Sequence, residues 1–311
     1  MGERLKGKNA VVTGGAGGLG KPICLGLAAE GARVVVCDVG ATTDGTGTTT
    51  GPSDAVVEEI KKAGGEAIPS YESVIDFNAA ERLIQTCIDI YGRIDIMVNA
   101  HGNLRDRMIW NMTEDEWESV MNVHLKGTFN TCRHACKVMR EQRYGKIINV
   151  TSDAWRGATG HVNYGAVKGG VVSLTRCIAR EMGRYAVTAN CFAPIAATRM
   201  TLTEEVKAGM KKRLDSGLIT QDYYDKFVDM PGPEHVPPLI VYLATDEAKD
   251  INGQTFHIER GRVGIYSEPV EVKQLFNDGE IWSVDELADL VPRTLLLGYT
   301  NPAPEELPKE K

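Results

Sequence analysis

The 311-residue chain has no apolar run approaching the ~18 residues that a membrane-spanning helix requires, so no membrane span is expected. Its first residues, Met1 to Lys8, are charged and lead into a strand, without the hydrophobic stretch of a secretory signal. The closing residues, Glu310 and Lys311, carry no targeting motif. Basic residues number 35 against 42 acidic ones, for a net charge of −7, and there is no long basic run. Nothing in that balance favours nucleic acid as a partner. The seven cysteines are an odd number and sit inside apolar stretches, which excludes a small-domain disulfide framework. They read as reduced core residues in a reducing compartment, taken as the cytoplasm. Cys132 and Cys136 share a helix face, but no second Cys/His pair lies nearby in sequence, so a buried face is favoured over zinc. No G-x-S-x-G is present to support a serine hydrolase, and no solenoid-type repeat is visible.

Hydrophobic residues make up 42% and charged residues 25%, ordinary globular usage that allows a sizeable core. Strand-like runs (Asn9–Thr13, Arg33–Cys37, Ala67–Tyr71, Ile94–Val98, Lys146–Val150, Val187–Phe192, Thr255–Ile258) alternate with helical stretches. Thr113 with Glu116 forms a capping box opening a long helix toward Arg140. Such alternation predicts an α/β fold: a single doubly wound (Rossmann) domain, with helices on both faces of a parallel sheet. Residues 1–264 are assigned to this domain, with a helical lid insertion at 199–235. Residues 265–311 form a C-terminal extension, expected to pack on the domain or on a neighbouring subunit, with a helix near Ser283–Leu290.

The first strand runs into Thr13-Gly14-Gly15-Ala16-Gly17-Gly18-Leu19-Gly20. Small residues let the backbone turn sharply and approach a pyrophosphate, and the helix that follows points its free amides at the anion. The second strand ends at Asp38, about 20 residues beyond the glycines, where a carboxylate can bond ribose hydroxyls and repel a 2′-phosphate. NAD(H) is therefore expected in preference to NADP. Tyr164 and Lys168 stand at i and i+4, on one helix face. A phenol is a poor base at its free pKa near ~10, and an ammonium close by favours the phenolate. Upstream, at a strand end, lie Thr151 and Ser152; a hydroxyl there can steady a substrate oxygen, with Ser152 preferred over Thr151.

These residues, in this order, resemble the short-chain dehydrogenase/reductase family, over roughly Leu5 to Gly264. The resemblance implies that Ser152, Tyr164 and Lys168 are catalytic. It implies a cofactor site built from Gly14, Gly18, Leu19, Gly20, Asp38, Ser73, Val74, Asn99, Ala100, Tyr164, Lys168, Pro194, Ile195 and Thr198. Two family motifs are altered. Asn-Asn-Ala-Gly is replaced by Asn99-Ala100-His101-Gly102, and Pro-Gly-x-x-x-Thr by Pro194-Ile195-Ala196-Ala197-Thr198. The family's relay asparagine falls on His124, which either shuttles a proton or is a satisfied core histidine.

Five segments, among them Gly102–Arg107, Val123–Gly127 and Ala193–Met200, are similar to one branch of the family. That branch contains the (3R)-hydroxyacyl-CoA dehydrogenase domain of peroxisomal multifunctional enzyme type 2 and stand-alone bacterial relatives. The similarity implies an NAD-dependent oxidoreductase of secondary alcohols and ketones, with a 3-hydroxyacyl-CoA/3-oxoacyl-CoA substrate. It also implies a homo-oligomer, tetramer or dimer, in which the two long helices before and including Tyr164 pack across an interface. A free ketone, aldehyde, diketone or sterol remains as an alternative substrate, and a cofactor-binding subunit without turnover as an alternative role. Arg105, Arg107 and Arg199 are candidates for CoA phosphates, though ordinary surface charge is favoured for each. Trp155 and Arg156 are placed to face the substrate, and Tyr223, Tyr224 and Phe227 to belong to the lid.

Overall fold

The computed structural model describes residues 2–198, 201–202, 204–217, 219–279 and 281–302. The chain divides into Met1–Tyr266 and Ser267–Lys311. In the first unit the strands are β1 (Asn9–Thr13), β2 (Arg33–Cys37), β3 (Glu66–Ser70), β4 (Ile96–Asn99), β5 (Gly145–Val150), β6 (Val187–Pro194), β7 (Thr255–Glu259) and β8 (Arg262–Ile265). They form one sheet in the order β3-β2-β1-β4-β5-β6-β7-β8. All neighbours are parallel except β7 and β8, which pair antiparallel, Phe256 opposite Ile265. The doubly wound α/β expectation is met, and the antiparallel edge strand is an addition to it. Three charged residues and two glycines in the run Glu259–Gly264 hid β8 in the sequence.

The helices are α1 (Gly20–Ala29), α2 (Gly51–Lys62), α3 (Phe77–Tyr91), α4 (Glu114–Val120), α5 (Gly127–Gln142), α6 (Val162–Met182), α7 (Glu204–Asp215), α8 (Gln221–Val228) and α9 (Pro237–Ala244). Successive strand residues point to opposite faces. Val12, Val34, Val36, Val98 and Ile148 meet α1, α2 and α9 through Leu27, Val57 and Ile240. Val11, Val35, Met97 and Ile147 meet α3, α5 and α6 through Leu83, Met139 and Ile178. Both faces are covered, so the strands read as unbroken apolar runs. Each fully buried side chain of this size contributes about 1.5–3 kcal/mol.

The long helix expected between Thr113 and Arg140 is interrupted. Its capping box is present, but Met121–Lys126 forms a π-helical turn between α4 and α5. Helix α2 also begins earlier than its apolar periodicity suggests, at Gly51, with Pro52 in its first turn.

Strand order reverses between β1 and β4, where a doubly wound sheet opens a crevice at its carboxyl edge. A buried polar ladder crosses the sheet there. Thr131 and Thr13 hydroxyls donate to Asn99 Oδ1 at 2.7 and 3.2 Å. Asn99 Nδ2 donates to Asn149 Oδ1 at 2.8 Å, and Asn149 Nδ2 to the Thr175 hydroxyl at 2.9 Å. The ladder ties β1, β4 and β5 to α5 and α6.

The second unit carries α10 (Val284–Arg293), opened by a Ser283/Glu286 capping box. Lys273 Nζ donates to the carbonyls of Thr294, Leu295 and Leu297 beyond the far end of that helix.

Replacing Asn149 by alanine strands the Asn99 amide in the core. The expected cost is about 1–3 kcal/mol, seen as a lower urea midpoint with unchanged slope. An unchanged midpoint would show that the ladder adds nothing to stability.

Candidate active site

A cleft opens at the β1/β4 crevice. Gly14, Gly18, Leu19, Asp38, Ser73, Val74, Ala100 and Thr198 line it, so eight of the residues singled out in sequence share one cavity. Two glycines are required by the turn. Gly14 has a left-handed φ of 66°, and a Cβ there would lie 2.7 Å from the His101 backbone. A Cβ on Gly20 would lie 1.9 Å from the Gly14 carbonyl oxygen. No side chain caps the start of α1; the Lys21 amide is spent on the Gly17 carbonyl and Pro22 has no N–H, which leaves the Leu19 and Gly20 amides for an anion in the cleft.

Asp38 is fixed at the end of β2. Its Oδ2 accepts from the Ala16 amide at 3.1 Å and its Oδ1 from the Gly40 amide at 2.8 Å. A carboxylate has about four lone-pair positions, so acceptors remain for ribose hydroxyls. The turn and the carboxylate together fit a dinucleotide: a cradle that a Cβ would fill, beside a pinned acid.

The remaining candidates do not line this cleft. Asn99 is 1% exposed, and its side chain is engaged in the polar ladder. Pro194 and Ile195 lie where β6 meets β7, the Ile195 amide donating to the Ile258 carbonyl at 2.9 Å. Gly20 is buried beneath the turn.

Ser152, Tyr164, Lys168 and His124 form a second group beside the cleft. Ser152 follows β5 and accepts from the Ala154 amide at 3.3 Å. Tyr164, half-buried in the first turn of α6, has its phenol pushed up to about 12; burial raises it, the adjacent Ser152 hydroxyl opposes, and Asp106 adds to the rise. Lys168 lies one turn on, 2% exposed, with Nζ 5.4 Å from the Tyr164 ring centre and donating to the Val150 carbonyl at 3.0 Å. Burial brings its amine down to about 7.

His124 sits on the π-helical turn, 2% exposed and edge-on to Tyr164 with ring centres 5.3 Å apart. Its Nε2 lies 2.8 Å from the Asn103 carbonyl oxygen and 3.1 Å from the Asn103 amide, while its buried Nδ1 has no partner. Burial, then the charge on Lys168, holds it well below the usual histidine range.

Two cleft residues were not singled out as cofactor ligands in sequence. His101 places Nδ1 2.6 Å from the Thr13 hydroxyl; burial and then Lys168 hold it down to about 3. Asn103 lines the cleft, 1% exposed, with a buried Oδ1 lacking a partner. The departure of His101 from the family's motif was the available signal, and Asn103 lies one residue beyond that motif.

Arg107 is taken up by Glu116, at 2.7 and 2.9 Å, and Arg105 donates to the Asp44 carbonyl at 3.0 Å. Arg199 lies outside the described residues. Trp155 packs edge-on against Tyr266, and Arg156 pairs with Asp153 at 3.3 Å. Tyr223, Tyr224 and Phe227 all lie on α8. Among the described residues, no group of three or more His, Cys, Asp or Glu side chains is placed to hold a metal. Also among them, no helix is long and apolar enough to cross a membrane.

The family model for short chain dehydrogenase matches residues 8–210. A short chain dehydrogenase from Mycobacterium avium has a similar structure, with a TM-score of 0.80 and 39% identity, covering 96% of this chain and 98% of the other. The hydroxyacyl-CoA dehydrogenase ChsB1 of Mycobacterium tuberculosis is 35% identical over 301 residues, 91% of this chain and 87% of that protein. The peroxisomal hydratase-dehydrogenase-epimerase of Neurospora crassa is 39% identical over 269 residues, 85% of this chain but 27% of that protein. This chain thus spans about a quarter of the length of that longer relative.

Lys168 has a measurable consequence for stability. Between pH 7 and 10.5 the unfolded chain holds the lysine proton that the folded chain lacks, so this residue makes stability rise with pH across that window. Below about 7 both states are protonated and its contribution is flat. Lys168→Met should therefore be more stable than the wild type at pH 7.5 without ligand, with an advantage that shrinks toward pH 10. Parallel urea curves for the two proteins across this range would contradict the assignment.

Proposed function

The chain belongs to the short chain dehydrogenase family, and from that premise we propose that it is an NAD-dependent oxidoreductase interconverting a 3-hydroxyacyl-CoA and a 3-oxoacyl-CoA. The observation that carries the chemistry is the convergence of Ser152, Tyr164 and Lys168 next to a glycine-turn cleft with a pinned carboxylate. The substrate class is supported by the name of the mycobacterial hydroxyacyl-CoA dehydrogenase, which this chain matches over most of both lengths.

The nicotinamide cofactor, when bound, supplies or accepts the hydride. Gly14, Gly18 and Leu19 would hold its phosphates, Asp38 its adenosine ribose and Lys168 its nicotinamide ribose. In the direction of reduction, Ser152 donates a hydrogen bond to the substrate carbonyl oxygen. Tyr164 gives its phenolic proton to that oxygen as the carbonyl carbon gains the hydride. In oxidation the phenolate takes the alcohol proton back. A protonated Lys168 favours that phenolate through its charge. His124 Nδ1 offers a neutral, buried position for a relayed water or proton.

NAD over NADP rests on Asp38, whose fixed charge opposes a 2′-phosphate. The proposal includes a homo-oligomer and a reducing compartment, which suits seven free cysteines.

NADH oxidation followed by absorbance, with acetoacetyl-CoA beside free acetoacetate and a simple diketone, tests the assignment. Turnover on the thioester, reduced about 10²–10⁴-fold in Tyr164→Phe, is the expected result. Turnover on free carbonyls alone would discard the CoA assignment and keep the proton chemistry. Asp38→Ala should lower the preference for NADH over NADPH by about 10-fold or more, since one tenfold step needs only ~1.4 kcal/mol. An unaltered cofactor ratio would remove Asp38 from that role.

A further inference from the structure

Residues 40–50 follow Asp38 as a loop of glycine, threonine, alanine and aspartate, yet the loop is ordered by its own bonds. The Thr42 and Thr46 hydroxyls and the Thr46 amide donate to the Asp44 carboxylate, and those bonds hold its pKa down to about 2. Ala41, Thr42 and Gly45 line the cleft on the Asp38 side. Two bonds then tie this loop to the segment after β4. The Leu104 amide donates to the Thr43 carbonyl at 3.2 Å, and Arg105 Nε to the Asp44 carbonyl at 3.0 Å.

The same short segment holds the catalytic side. The Asn103 backbone presents both its amide and its carbonyl to His124 Nε2, and His124 packs edge-on against Tyr164. The Arg105 carbonyl accepts from Asn163 Nδ2 at 2.9 Å, and Asn163 Oδ1 accepts from the Tyr164 amide at 2.7 Å. Asn163 is fully buried and its Nδ2 also reaches the Glu116 carbonyl at 3.2 Å, so it cannot follow a displaced partner freely. Asn103 adds a side-chain atom of its own to the cleft, the buried Oδ1, which has no donor. An unpaired buried acceptor is unfavourable, and a hydroxyl or amino group of a bound nucleotide would satisfy it.

We propose that Asn103–Arg105 is a latch joining the adenosine end of the cleft to the setting of Tyr164, with Arg105 as its positioning residue, a role that rests on the dehydrogenase reading above. Arg105 bonds to both sides of this link. It closes the threonine loop with its side chain and seats Asn163 with its carbonyl. A nucleotide that orders the loop thereby orders the first turn of α6.

Hydrogen exchange with and without NADH tests the latch independently of turnover. In the wild type, NADH should protect residues 40–50, 103–107 and 162–166 together. In Arg105→Ala, protection at 162–166 should be lost while the glycine turn at 13–20 stays protected, and Arg105→Lys should restore part of it. Alongside, kcat in Arg105→Ala should fall about 10-fold on thioester and free ketone alike, since small misplacements of reacting groups cost that much or more. Equal protection of 162–166 in the variant would overturn the proposal. So would a loss confined to thioester substrates, which would make Arg105 a CoA contact, or a weaker NADH affinity with unchanged kcat. Failure of wild-type turnover on every carbonyl would sink the dehydrogenase reading, and the exchange result would still decide the latch.

Discussion

The Lys168 ammonium has almost no access to water and donates to the Val150 carbonyl, and the rest of the site is arranged around that burial. Desolvation disfavours the charged form of any group, so the amine falls toward neutrality and the neighbouring phenol rises. Each needs the other's charge. A phenolate at Tyr164 is stabilised by an ammonium at Lys168, and an ammonium in so dry a place is stabilised by a phenolate. Burial is the first cause of both shifts, and Nζ lies 5.4 Å from the Tyr164 ring centre. The helical spacing of four residues fixes their separation, and α6, 21 residues long and packed on the sheet, fixes the helix.

A buried pair of this kind needs a rigid floor. The ladder from Thr13 through Asn99 and Asn149 to Thr175 supplies it, because each amide has both donor and acceptor committed. Asn99 therefore serves the cleft from below, by holding β1, β4 and β5 in register where Ala100 and His101 turn into it. The π-helical turn adds the other wall. One extra residue per turn there brings His124 inward over the Tyr164 ring, and such bulges occur where a functional side chain must be re-aimed.

The parts legible in sequence were those whose signal is local. The glycine turn needs small residues at fixed offsets, Asp38 sits at a fixed distance beyond it, and Tyr164 with Lys168 declares a helix face. The apolar strands and most helices were legible for the same reason. What escaped was set by tertiary contact. Nothing in the glycine- and threonine-rich residues 40–50 marks them as tied to the segment after β4, since Leu104 and Arg105, which bond to them, lie some 60 residues away. Nothing periodic marks Met121–Lys126 as π-helical, since the apolar pattern on either side of it is that of an ordinary helix. The edge strand β8 has only Val263 and Ile265 as apolar residues, both exposed, so it lacks the buried face that marks the others.

The two histidines beside the lysine follow from the same desolvation. His101 and His124 both feel the charge of Lys168, and burial already drives both toward the neutral form. A neutral imidazole can carry one proton on either nitrogen, so it bonds to a fixed group on one side and stays open on the other. His101 spends Nδ1 on Thr13, and His124 spends Nε2 on Asn103. Their open nitrogens, Nε2 of the first and Nδ1 of the second, are buried without partners. Polarity is thus delivered next to the ammonium without a second positive charge. A cation at either position would have raised the cost of protonating Lys168, whereas neutral rings leave that cost unchanged.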